Sequence, residues 1–547
     1  MGFLKRVEDR PTPQSVYNWR VWVFSFIASF ASIMIGYDSA FIGGTLALPS
    51  FTKSFGKLDA STSGNLVSTY QAGAFFGAFL GHPLGHFLGR KRGLLITSIV
   101  FTIGAAIMTA AGPSTHLTPV YVGRAIAGMA IGAASNLTPI YISEIAPAPA
   151  RGQAIGLYEV GWQIGGIVGF FINYGVLQTL PSSVKQWRIP FAVQLIPGGM
   201  LMIGSLFLVE SPRWLLSRGR VEEAREKLAY IRQLDVDHPY FVEEFGQMQA
   251  AIEENKIKAG GDSYFAPFRY VFRQKHLIRR LAFGSSLFAF QNGTGINAIN
   301  YYSPTVFKSL GITGTSTGLL GTGCFGVIKT IGSFIFILFL VETVGRRRLL
   351  MISSSGGAFA MYYIAAYIAI AKPALHKKTS IDGPGASALA FFYIWTCFYS
   401  FGWNPLPWVY GAESFDNTAR PVAQIFMAAS NWLYNFVISQ ATPHMFAKMG
   451  YGVYLFFASC MVLSVIWVFF LMPETKGIPI EEMDNLHEKR PQRHAHRMVM
   501  EELRVRAAEN RGEAVLANAD DAAYSPSDAA STNGKEDAMT QVKINTA

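Results

Sequence analysis

The chemistry open to this sequence rests on a few polar side chains set inside long apolar runs. Asp38 falls deep in a run over 21–48, Arg124 near the start of one over 119–142, and Lys329 inside one over 316–341. A charge at the centre of a membrane helix costs at least ~2.5–3.5 kcal/mol on insertion scales, so it is usually paired or lines a cavity. Asp38 can shed that cost by binding a proton; Arg124 cannot. A carboxylate that alternates between protonated and Arg-paired forms is the simplest proton-coupling device, and a static ion pair is the alternative. Gln163, Gln291, Asn292, Asn297, Asn431 and Asn435 add amides in other runs. Amides carry both donors and acceptors and so suit the hydroxyls of a polyol ring. Asparagines in membrane helices also bond helix to helix, at ~0.6–2 kcal/mol per bond. Trp408 follows Pro405 and Pro407, which break the run over 387–411, and its indole is placed to cover a ring face. If Lys329 faces a cavity, it offers a positive charge to a substrate carboxylate. Otherwise it is satisfied by helix carbonyls or a neighbouring side chain.

Positioning such groups takes a membrane bundle. Of the 547 residues, 50% are hydrophobic and 15% charged, against ~25% charged in soluble domains. A bilayer core of ~30 Å needs ~20 apolar residues per helix. Twelve runs qualify: 21–48, 65–86, 94–112, 119–142, 153–177, 189–209, 281–301, 316–341, 349–371, 387–411, 423–444 and 451–472. They predict an all-α membrane protein of twelve transmembrane helices in two six-helix halves. The halves carry the same punctuation. Gly89-Arg90-Lys91-Arg92 recurs as Gly345-Arg346-Arg347-Arg348, and Glu144 precedes Arg151 by the same seven residues as Glu413 precedes Arg420. Glu210-Ser211-Pro212-Arg213 closes the first half as Pro473-Glu474-Thr475-Lys476 closes the second. Duplicated bundles of this kind belong to transporters that rock one half against the other around a central site.

The cations follow alternate runs, and the positive-inside rule makes that side cytoplasmic, with both termini on it. The stretch around His376, Lys377 and Lys378 is a modest exception on the opposite side. The excess charge of +11 is largely this bias, so no nucleic-acid partner is implied. The chain divides into a cytoplasmic segment 1–20, a first bundle 21–213, a helical cytoplasmic linker 214–278, a second bundle 279–476 and a cytoplasmic tail 477–547. In the linker, Val221, Ala224, Leu228 and Ile231 form one apolar stripe and Phe241, Phe245, Met248 and Ile252 another, both expected to pack on the cytoplasmic face. After about residue 490 the composition predicts disorder. Arg90, Glu144, Arg151, Glu210, Arg213, Arg346, Glu413 and Arg420 sit at cytoplasmic helix ends. Bidentate pairs among them are expected to link one bundle to the other and latch the outward-facing state. The alternative is a set of topological anchors, since single exposed pairs contribute only ~0–1 kcal/mol.

The motifs at 89–92 and 210–214, Glu144 with Arg151, Gln291 with Gly295-Ile296-Asn297, Pro405-Leu406-Pro407-Trp408 with Glu413, and Pro473-Glu-Thr-Lys-Gly together resemble the sugar-porter family of the major facilitator superfamily. The resemblance runs from about residue 20 to 480. Ile35-Gly-Tyr-Asp-Ser-Ala-Phe-Ile-Gly, Gly161-Trp-Gln-Ile-Gly-Gly and Gln291-Asn-Gly-Thr-Gly-Ile-Asn look like its fungal quinate permease branch, to which galacturonate carriers are similar. The resemblance implies that Asp38 and Arg124 form the proton site and that Gln291 and Asn297 belong to the binding motif. His86 and Phe87 depart from the usual residues before the first Gly-Arg motif. Asn292 stands where many sugar porters have a second Gln, which weakens any claim for ordinary hexoses.

The expected function is proton-coupled import of a hydroxylated cyclic carboxylate, quinate or D-galacturonate, across a fungal plasma membrane. A neutral-hexose carrier and a transporter-like nutrient sensor are the alternatives. The expected partners are a small polyol, sugar or sugar acid and the lipid bilayer. No cofactor is expected beyond the proton as coupling ion. No nucleophile–base arrangement or metal spacing supports an enzyme, and Cys324, Cys397 and Cys460 have neither disulfide nor metal spacing.

Overall fold

Small residues decide how closely the helices approach. The computed structural model describes residues 11–312, 314–340, 343–373, 383–479 and 482–506. Within them the helices group into twelve spans. Spans 1 to 5 are Trp19–Leu46, Ala60–Pro83, Arg90–Thr109, Thr118–Ile145 and Arg151–Thr179. Span 6 is Val184–Val193 with Leu195–Phe207, and span 7 is Lys275–Gly293 with Ile296–Ser309. Spans 8 and 9 are Thr315–Ile335 and Arg346–Ala371, and span 10 is Gly383–Phe401 with Leu406–Glu413. Spans 11 and 12 are Arg420–Met449 and Gly452–Leu471. Eight helices are long and apolar enough to cross a bilayer. Spans 2, 7, 10 and 11 fall outside that set among the described residues, and spans 7 and 10 are each broken into two helices.

Span 2 crosses span 4 backbone to backbone. A Cβ on Gly77 would stand 2.1 Å from the Met129 carbonyl oxygen, and one on Gly132 would stand 2.1 Å from that of Ala74. Spans 1 and 5 cross the same way, with Gly36 against Trp162 and Gly165 against Ile33, at 2.0 and 2.2 Å. Such contacts replace the hydrophobic drive that helices lack in lipid. Two large apolar cores centre on the two halves, and each takes in residues of the other: Tyr302 and Trp432 join the first, Ala40 and Phe170 the second.

At the basic end the repeated motifs tie each half to itself. Gly89 and Gly345 start spans 3 and 9 at φ 90° and 94°. Glu210 accepts from the backbone nitrogens of Arg90 and Lys91 at 2.8 and 3.2 Å, and Glu474 from those of Arg346 and Arg347 at 2.8 and 3.0 Å. Each carboxylate caps a helix N-terminus, where it also meets the positive end of the dipole. Arg90 binds Glu144 through Nε and Nη2 at 2.9 and 2.8 Å, and Arg346 Nη2 binds Glu413 at 2.8 Å. These pairs all lie inside one half, which corrects the expectation that they join the bundles. Arg151, Arg213 and Arg420 make no ion pair among the described residues. The groups acting on Arg151 are mostly cations, Arg213, Arg232 and, from the other half, Arg420. Glu144 and Arg151 are parted because span 4 ends between them, leaving Glu144 beside span 3.

At the opposite end, side-chain hydrogen bonds join the halves. Gln440 joins Ser68 and Asn65 at 2.6 and 2.8 Å, and Gln178 donates to Ser316 at 2.5 Å. At the basic end Phe79 packs edge-on to Phe426 across the halves, with ring centroids 5.7 Å apart, and the linker bridges as well. Asn255 accepts from Thr418 at 3.0 Å and Tyr270 donates to Asp416 at 3.2 Å, while Tyr264 packs on His82 and His86. The two linker stripes pack largely on each other and on Trp214, Leu215 and Leu216, although Val221 is exposed. Residues 492–506 are helical, contrary to the expected disorder, because Ala495 and Val499 bury against Ile478, Met483 and Leu486. The loop at His376 to Lys378 and the remainder of the tail lie outside the described residues.

The span 2–span 4 crossing is testable. Ala has the better helix propensity by ~1 kcal/mol, yet Gly132→Ala should destabilise the protein by a net ~1–3 kcal/mol through overpacking. Gly175→Ala, where an added Cβ meets nothing within 4 Å, should not. Thermal unfolding of the purified variants reads the difference, and equal melting temperatures would remove the close-crossing argument.

Candidate functional site

Breaks in two spans open the centre of the bundle. Span 7 stops at Gly295, which sits at φ 89°, in the left-handed region that glycine tolerates best. Span 10 is interrupted over 402–405, where Pro405 and Pro407 supply no N–H. Gln291 holds the second break, donating through Nε2 to the carbonyls of Trp403 at 2.6 Å and Asn404 at 3.1 Å.

Between the halves lies a cavity of about 620 Å³, its opening included. Of the amides named from sequence, Gln291, Asn297, Asn431 and Asn435 line it, as do Lys329 and Trp408. Gln163 and Asn292 do not, which corrects their placement as lining groups. Asn292 donates to the Phe288 carbonyl at 2.9 Å and accepts from Asn297 at 2.5 Å. It braces Asn297 from behind. Trp408 stands edge-on to Phe288, with ring centroids 4.7 Å apart.

Ser39, Trp162, Asn300, Tyr301, Tyr399, Asn404 and Trp432 complete the wall together with Glu159. The Oδ1 atoms of Asn300 and Asn435 and the Nε1 of Trp432 are buried without a hydrogen-bond partner. Each such atom costs ~1–3 kcal/mol while unpaired.

Glu159 is the residue that the sequence reading missed. It sits on span 5, partly open to the cavity. Its Oε1 accepts from Gln163 Nε2 at 2.6 Å and from Asn404 Nδ2 at 3.5 Å. Gln163 also reaches the other half, donating to Ser333 at 3.4 Å and accepting from Thr330 at 3.3 Å. Lys329 acts on Glu159 electrostatically without forming a contact ion pair, and its ammonium stands 6.0 Å from the Phe325 ring centre. Two signals pointed to Glu159: it lies four residues before Gln163 on one helical face, and a buried lysine calls for an anion.

Asp38 and Arg124 meet at 3.3 Å with both side chains wholly buried. Arg124 also donates to the Val67 carbonyl at 3.2 Å, and its guanidinium stands 5.1 Å from the Tyr70 ring centre. The second Asp38 oxygen is unpaired. The pair lies behind the cavity wall, one residue from Ser39. Among the described residues no cluster of three or more His, Cys, Asp or Glu side chains could hold a metal ion.

Comparison with known proteins agrees with this architecture. The family model described as "Sugar (and other) transporter" matches residues 24–487. A quinate permease of Emericella nidulans is 53% identical over 508 residues, covering 92% of this chain and 95% of its own length. A probable quinate permease of Neosartorya fischeri is 54% identical over 510 residues, covering 92% and 94%. Among solved structures, the proton:xylose symporter XylE bound to 6-bromo-6-deoxy-D-glucose aligns with a TM-score of 0.69 at 25% identity, over 86% of this chain and 99% of its own. The chain belongs to the sugar-transporter family, the sugar porters of the major facilitator superfamily, and is a multi-pass membrane transporter rather than an enzyme.

Proposed function

We propose that this transporter imports a hydroxylated cyclic carboxylate, quinate or D-galacturonate, together with a proton across the plasma membrane. The observation that carries the reading is Lys329: a lysine ammonium on the wall of a cavity whose other polar groups suit hydroxyls. Relatives named as quinate permeases over nearly the whole chain support it. An anion brought to the midplane leaves water, and a positive partner or a co-bound proton must offset that cost.

Each half moves as a unit in this scheme, because the Arg90–Glu144 and Arg346–Glu413 pairs brace it internally. With the basic end cytoplasmic, the Gln440 bonds to Ser68 and Asn65 close the extracellular side. Opening that side requires them to break, while Arg151 and Arg213 must come to terms with Arg420 across the cytoplasmic seam. Asp38 is the coupling carboxylate. A proton on it removes the charge that Arg124 faces and frees the guanidinium for its other contacts at Val67 and Tyr70. One observation favours a second reading: Glu159 counters Lys329, so the empty cavity is close to neutral, as a carrier of neutral hexoses would need.

Competition uptake with labelled quinate, galacturonate and glucose at two external pH values separates these readings. Lys329→Gln should depress carboxylate uptake at least ~10-fold more than uptake of any neutral hexose, equivalent to ~1.4 kcal/mol of selective binding. Misfolding would lower both equally, and an equal loss would return the neutral-hexose reading to the front. Asp38→Asn keeps the shape of the side chain and removes its titration. Accumulation against a gradient should then fail while exchange of labelled for unlabelled substrate persists; pH-dependent accumulation by this variant would place the coupling site elsewhere.

A further inference from the structure

Two opposite charges share the cavity, and the transport scheme above uses only one of them. Glu159 projects from span 5 of the first half and Lys329 from span 8 of the second. The two side chains form no contact ion pair. Gln163 and Asn404 occupy Glu159 Oε1, while Lys329 Nζ has no hydrogen-bond partner among the described residues. The groups facing Glu159 are few. Lys329 is the charged side chain acting on it, and the phenols of Tyr399 on span 10 and of the adjacent Tyr158 are the other ionisable groups beside it.

Charge bookkeeping then constrains any anionic substrate. With the site empty, one ammonium and one carboxylate cancel. A substrate carboxylate at Lys329 adds a third charge, leaving the cavity with one uncompensated anion in a setting where unpaired ions are strongly disfavoured. A proton on Glu159 restores neutrality.

We propose that Glu159 is a second, substrate-linked proton acceptor. The substrate carboxylate replaces it as the counter-ion of Lys329, and Glu159 takes a proton from water on the open side, forming an O–H bond on one carboxyl oxygen. The protonated acid keeps an acceptor for Gln163 and gains a donor for a substrate hydroxyl. On release the proton returns to water and the Glu159 charge again balances Lys329. A neutral polyol triggers no such uptake. The inference rests on the carboxylate reading above and adds a specificity-determining residue to it. Asp38 senses the proton gradient whatever is bound, whereas Glu159 binds its proton only when the ligand is an anion.

The test measures binding to purified protein through the tryptophans that line the cavity, Trp162, Trp408 and Trp432. Where Glu159 is ionised in the free protein, the quinate Kd of the wild type should rise ~10-fold per pH unit, the slope for one proton taken up per ligand. Glu159→Gln, which mimics the protonated acid, should bind quinate with a Kd flat across that range and tighter than wild type at the alkaline end. Asp38→Asn should keep the wild-type slope. A dye measurement on the wild type gives a readout independent of any variant's folding: quinate should draw close to one proton from weakly buffered solution, and its neutral methyl ester none. An unchanged slope in Glu159→Gln, a slope lost in Asp38→Asn instead, or quinate binding without proton uptake would overturn the inference alone. Failure of the wild type to bind quinate or galacturonate at any pH would overturn the carboxylate reading, and this inference with it.

Discussion

Charge inside a low-dielectric bundle must be compensated, and the interior of this transporter is organised around that requirement. Asp38 and Arg124 meet in full burial. Glu159 and Lys329 face each other across the cavity with their charged atoms left apart. The two arrangements differ in what they permit. A closed pair behind the wall is screened from the ligand. An open pair on the wall offers each member to whatever enters. Replacing a buried pair by apolar residues is often neutral or stabilising, so holding two such pairs in one bundle is weak evidence for stability and better evidence for use.

Compensation also bears on where the helices break. Spans 7 and 10 are broken where the cavity needs backbone to bend, and non-helical backbone at membrane depth is tolerated only where protein or a cavity covers it. Gln291 satisfies two carbonyls freed by the break in span 10. Its side chain therefore belongs to the hinge as well as to the wall.

The spans and their grouping were legible in the sequence because apolar length and repeated Gly-Arg punctuation are local signals. Partners were less so. Seven residues separate Glu144 from Arg151 as they separate Glu413 from Arg420, which suggests that each pair belongs together. In the folded chain Arg90 and Arg346 take the two glutamates, since the spans that precede them lie closer than the turns that follow. Gln163 and Asn292 have the right chemistry for a binding wall but stand one layer back; which face of a helix meets the cavity depends on how its neighbours pack. Glu159 escaped notice because it lies near the end of its run, where a charge reads as a boundary. The helix at 492–506 escaped for the opposite reason: its apolar positions at 495 and 499 are few, and they become a stripe only against Ile478, Met483 and Leu486.

The position of Glu159 links ligand chemistry to the movement of the halves. Its partner Gln163 is hydrogen-bonded to Ser333 and Thr330, and its partner Asn404 donates to Ser333 at 2.9 Å. One small polar cluster thus contains residues of both halves, the unwound part of span 10 and a carboxylate that lines the cavity. Ionised Glu159 accepts from both amides and holds that cluster together. Once protonated, it binds amide donors less strongly, because hydrogen bonds to a charged acceptor are roughly twice as strong as neutral ones. If Glu159 is protonated as proposed, the cluster loosens when an anion has taken Lys329. Bistable behaviour of this kind needs no large local displacement, since the braced halves respond as rigid bodies to the loss of a few bonds at their seam. Under the proposal, a single carboxylate at that seam would couple what is bound to which way the transporter faces.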